Sequence, residues 1–259
     1  MKKRPLLWYF ILAFAITWGI GVFFFAFPAQ VAALFGKTSS YNPLFILAVY
    51  APSISALIVT GVTQGRSGIS EILRKFIRFR VGFQWYLVVL AGIPAIGLAA
   101  ALVSGTFPAI QMNRWDLLAP VLVNLVITGP LGEELGWRGF ALPRMLKKWN
   151  ALVSSLILGV IWGVWHLPAF FAAGTPQSGL SLPAFMLGAV VLSVIAAWIY
   201  INTGSLFLTF LMHLAANFSL TVLGAPLMAF SVGLLVAAVG IVIAAGPRYF
   251  SRPKVSAAD

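Results

Sequence analysis

The chain has 259 residues, 61% of them hydrophobic and only 8% charged, with a mean hydropathy of +1.00. That lies outside soluble globular composition and identifies an integral membrane protein. The net charge of +12 would suggest nucleic acid as the partner of a soluble chain, but here the basic residues flank apolar runs, so the bilayer is the expected partner and nucleic acid is not.

Runs of about 20 apolar residues fall at Leu6 to Phe27, Pro43 to Val62, Trp85 to Val103, Leu117 to Leu142, Ala151 to Ala172, Leu182 to Ile201, Ser205 to Leu223 and Ala225 to Ala245. They predict an all-α, polytopic membrane helical bundle of about eight transmembrane helices. With Lys2, Lys3 and Arg4 inside, eight crossings also place Arg66, Arg74, Lys75, Arg78, Arg80, Arg138, Arg144, Lys147, Lys148, Arg248, Arg252 and Lys254 inside. Only Lys37 and Arg114 fall outside. The expected location is a cell membrane, with both termini cytoplasmic. The first run could be read as a cleaved leader, but it is longer than the usual leader core and no convincing cleavage site follows, so it is taken as a span. The absence of cysteine excludes disulfides and thiolate metal sites.

The organisation expected is one structural unit in three parts. Residues 1–116 hold the N-terminal helices, 117–223 the chemistry-bearing core, and 224–259 the last helix and a basic tail. Within the first part, Ile69 to Arg80 places Ile69, Ile72, Leu73, Phe76 and Ile77 on one face and basic residues around the other, the pattern of a cytoplasmic interfacial helix.

The fourth run carries TGPLGEELGWRGF, residues 128–140, with three charges at membrane depth, where each costs about 2.5 to 3.5 kcal/mol. Glu134 and Arg138 are stacked at i and i+4 and predict an internal ion pair. Glu133 faces elsewhere, has no partner in its own helix, and is the carboxylate available for chemistry. Gly129, Gly132 and Gly136 are expected on one further face that admits a neighbouring helix. In the fifth run, Gly159, Trp162, Gly163 and His166 fall on one face, which aims His166 into the bundle. Pro168 is expected to free a carbonyl one turn back. In the seventh, Thr209, His213 and Asn217 form a polar stripe that must face protein or water, and Asn202 to Ser205 can cap the helix start.

A carboxylate without a local partner, two imidazoles and a carboxamide are the parts needed to activate water and stabilise an oxyanion. Ion- or proton-coupled transport uses similar residues, but the repeats and broken helix pairs common in transporters are not evident. A non-catalytic scaffold or immunity protein is the other alternative, and it gives no reason to keep both histidines within a membrane.

At these residues the chain resembles the CPBP intramembrane proteases, which include the CAAX prenyl endopeptidases of the Rce1 type and the bacterial Abi proteins. Glu133, Glu134 and Arg138 match the family's EExxxR, Trp162 and His166 its aromatic-xxxH, and His213 and Asn217 its HxxxN. Trp162 stands where Phe is commonest. The resemblance is close over Leu117 to Leu223. It implies a membrane endopeptidase acting on membrane-associated or CAAX-like proteins or peptides. In it, Glu133 and His166 would activate water, His213 and Asn217 would bind the oxyanion, and Glu134 and Arg138 would give support. The compact length and short loops are similar to bacterial members. The family is often called metalloprotease, and Glu133, His166 and His213 would make a His₂Glu zinc site. Other members are described as metal-independent, and that reading is preferred here.

Overall fold

The chain is all α-helical in a computed structural model, which describes residues 1–106, 114–248 and 250. Gln111 to Asn113, a short polar stretch after the third apolar run, lie outside the described residues, as does the tail with Arg252 and Lys254. In order the helices are α1 (Pro5–Ala26), the short α2 (Pro28–Phe35), α3 (Pro43–Phe76), α4 (Phe83–Val103), α5 (Asp116–Met145), α6 (Ala151–Phe171), α7 (Leu182–Thr203), α8 (Leu206–Thr221) and α9 (Leu227–Ala245). Among the described residues, seven of these are long and apolar enough to cross a membrane, α2 and α8 being the others. At 1.5 Å per residue α8 spans roughly 24 Å, short of a hydrocarbon core of about 30 Å. It nonetheless runs from one end of the bundle to the other. Ser205 Oγ, at its start, donates to the Arg78 carbonyl at 2.5 Å, and the Gly224 carbonyl, past its end, accepts from Thr106 Oγ1 at 3.0 Å. The eight crossings expected from the sequence are thus seven long helices and this shorter one.

Helix ends follow from local chemistry. Asn150 caps α6 by accepting from the Val153 N–H at 2.9 Å. Ser205 caps α8 through the Leu208 N–H at 3.1 Å, as expected for side-chain oxygens at that position. Gly204, at φ 63°, ends α7 in the left-handed conformation and lets α8 begin at once.

Pro52 lies inside α3 and has no N–H for the Ala48 carbonyl one turn back. Thr17 Oγ1 of α1 supplies the missing donor at 2.9 Å, and the same hydroxyl accepts the Trp165 indole of α6 at 2.8 Å. One threonine therefore ties three helices where the backbone ladder is open. Gly65, at φ 69°, kinks α3. The interfacial helix expected over Ile69 to Arg80 is the continuation of α3 past this kink, and it ends at Phe76. Its apolar face is divided. Ile72 is buried against the bare surface of Gly139, while Leu73 and Ile77 are exposed.

Packing crosses both expected part boundaries, α3 lying against α5 and α7 against α9. Basic residues gather at one end of the bundle, where Arg78 meets the α7–α8 connection and the Ala151 N–H donates to the Arg248 carbonyl at 3.0 Å. Arg138 is a correction to the charge pattern: it is wholly buried, so it is not part of that rim.

Candidate functional site

α5 is broken at Thr128 and Gly129, and Pro130, which needs no N–H partner, restarts it. Glu133 and Glu134 stand in the new first turn, and a wide π-helical turn follows from Leu135 to Ala141. Such turns occur often at functional sites. Gly132 and Gly136 pack on the Val49 and Pro52 carbonyls of α3, and a Cβ on Gly136 would stand 2.5 Å from the Pro52 oxygen. Gly129 does not share their face. The break turns it toward the Asn217 carboxamide of α8.

The expected ion pair is present. Arg138 Nη1 donates to Glu134 Oε1 at 2.9 Å, with both side chains buried. The same oxygen lies 2.9 Å from His213 Nδ1 on α8. A carboxylate has only lone pairs to offer, so Nδ1 carries the proton and Nε2 is left for the other side of the ring. Glu134 thereby orients one of the two histidines, which its place beside Arg138 did not foretell.

Trp162 arranges the other half. Its indole N–H donates to Glu133 Oε2 at 2.5 Å, and its ring lies under the Arg138 guanidinium, 4.5 Å from the centroid. Its carbonyl accepts from His166 Nδ1 at 2.8 Å. That carbonyl is available because α6 tightens before Pro168, the His166 N–H bonding instead to Gly163 at 3.1 Å. The carbonyl put to use is thus Trp162's rather than one freed directly by the proline ring. His166 also carries its proton on Nδ1 and keeps a lone pair on Nε2. Gly159 and Gly163 share the face expected of them but press it against Val190 and Met186 of α7.

Glu133, His166, His213 and Asn217 line one cavity, together with Thr128, Gly129 and Trp162. A second lies between α1, α3 and α6 and shares Thr128, Glu133, His166 and Gln177 with the first. The four expected residues are therefore brought together, with Glu133 and His166 on the wall common to both chambers. Thr209 is not. Its hydroxyl turns back to the Leu206 carbonyl at 2.9 Å.

The zinc set read from the sequence does not fit. Among the described residues no three His, Cys, Asp or Glu side chains converge as a group able to hold a metal ion.

Residues 114–219 match the family described as type II CAAX prenyl endopeptidase, Rce1-like. Over those residues the chain is similar to that family. The matched stretch contains every residue of the two hydrogen-bonded units above. The likeness reaches further along the chain: the CAAX prenyl protease 2 of Methanococcus maripaludis is 24% identical over 236 aligned residues, covering 83% of each protein. Two contributors to the cavity walls escape sequence reasoning. One is the donor role of the Trp162 indole, whose only signal is a polar N–H where Phe is commonest. The other is Gln177, which looks like any uncharged loop residue.

Proposed function

We propose that the chain is an intramembrane endopeptidase of the CPBP type that hydrolyses a peptide bond in a membrane-associated protein or peptide, using water activated by Glu133 and His166 and no metal. The observation that carries this reading is the shared cavity, where both histidines have Nδ1 engaged outside it and keep Nε2 for the reaction. Glu133 takes a proton from water oriented by His166 Nε2, and the oxygen attacks the scissile carbonyl carbon. Asn217 Nδ2 donates to the resulting oxyanion. His213 can do so as the imidazolium, whose charge Glu134 balances. Glu133 then passes its proton to the departing amine nitrogen as the C–N bond breaks. Residues 117–223 carry this chemistry and the flanking helices enclose it, within a cell membrane and with both termini cytoplasmic.

The test is incubation of the purified protein with a membrane-embedded reporter peptide, followed by mass spectrometry. Two fragments whose masses sum to the substrate plus one water are expected, at a rate unchanged by a chelator. Loss of activity with chelator and recovery with zinc would make the site a metal site. No cleavage by the folded protein would favour the transporter or scaffold reading.

A second expectation concerns Trp162. Trp162→Phe leaves the backbone carbonyl that holds His166 but removes the donor to Glu133. A hydrogen bond to a charged group is worth about 1.5 to 3 kcal/mol, so kcat should fall by at least about tenfold. The check is kcat measured beside a melting curve, since the smaller ring also loosens packing under Arg138.

A further inference from the structure

We infer that the catalytic cavity is entered from the membrane face opposite the basic rim, so that its substrate is a peptide segment presented from the non-cytoplasmic side. The substrate half of this inference rests on the proteolytic reading above; the side of entry does not.

The first observation is where the bundle is hollow. Phe24 near the end of α1, Phe45 at the start of α3, Thr175 in the α6–α7 connection and Leu227 at the start of α9 all line the two chambers, and all lie toward the end away from the basic residues. Glu133 and His213 form the floor. Beneath them toward the basic end the interior is filled. Trp137, Arg138, Phe140, Leu142 and Met145 are no more than 1% exposed, and Tyr9 closes on Trp137 and Phe140 with ring centroids 5.7 and 4.9 Å away.

The second observation is the charge at the two ends. Lys3, Arg4, Arg144 and Lys148 border one groove at the basic end, while the far end has Lys37 and Arg114, and Arg114 is neutralised by Asp116 at 2.6 Å. Basic connections stay on the cytoplasmic side, so the hollow half is the outer half.

The third is Gln177. It comes from the connection between α6 and α7 at the far end and lines both chambers, yet its Oε1 is buried with no hydrogen-bond partner. A buried carboxamide oxygen calls for a donor, and a backbone N–H of an extended peptide entering beside it supplies one. Thr175 fixes this connection by donating to the Ala172 carbonyl at 2.9 Å.

Because the chain has no cysteine, single cysteines read the side of entry without background. Gln177→Cys, Gly179→Cys and Lys148→Cys are each treated with a membrane-impermeant thiol reagent in right-side-out and inverted vesicles. Gln177→Cys and Gly179→Cys should react only in right-side-out vesicles and Lys148→Cys only in inverted ones. Reaction of Gln177→Cys in inverted vesicles overturns the inference, and so does its failure to react where Gly179→Cys does. In parallel, two reporters carry one scissile sequence at the outer or the inner end of a transmembrane segment. Cleavage of the outer one alone is expected, and cleavage of the inner one overturns the substrate assignment. If neither is cut, the proteolytic reading and its substrate fall together, while labelling still decides the side of entry.

Discussion

Glu133→Gln is expected to lower cleavage of a membrane-embedded reporter by about 10² to 10⁴-fold with the melting curve retained. Gln has the same shape, and its carbonyl oxygen can accept the Trp162 indole N–H that Glu133 Oε2 accepts at 2.5 Å. What it cannot do is take a proton from water. Removing this carboxylate also removes a buried charge that has no cation of its own on α5, so the fold has no ion pair to lose at this position. Full turnover by the folded variant would remove Glu133 from the role of base.

Arg138→Ala is expected to act on stability first. It leaves Glu134 buried without its cation, and breaking a buried pair from one side costs about 3 to 5 kcal/mol. It also removes the guanidinium stacked on Trp162. Glu134→Gln together with Arg138→Met should recover much of the melting temperature, because neither charge then remains to be desolvated. Activity should stay low in the double variant, since a neutral amide no longer balances an imidazolium at His213. The measurements are thermal melting in detergent and reporter cleavage on the same preparations. An Arg138→Ala protein as stable as the parent would mean that the pair contributes nothing to the fold.

Much of this arrangement is legible in the sequence alone. Charged and polar side chains are conspicuous in apolar spans, so Glu133, His166, His213 and Asn217 stand out, and the i, i+4 step alone gives the Glu134–Arg138 pair. Local cap chemistry marks Ser205 in the same way. Contacts made across long stretches of chain could not be read, because helix periodicity fixes a face but not which neighbour it meets. His213 meets Glu134 from 79 residues away, and Trp162 meets Glu133 from 29. Phase errors account for other differences. The break at Thr128 rotates Gly129 away from Gly132 and Gly136, and the kink at Gly65 does not detach the following helix from α3.

The single oxygen of Glu134 that serves both Arg138 and His213 constrains how this protein could be improved. Selection for sturdier variants would reach the Glu134–Arg138 pair readily, because well-packed apolar replacements of a buried ion pair are often neutral or stabilising. Each such variant would also release His213 from its hydrogen bond. A heat-tolerance screen that does not assay turnover should therefore enrich robust but inert proteins, and durable active ones should carry their changes elsewhere, on the lipid-facing helices.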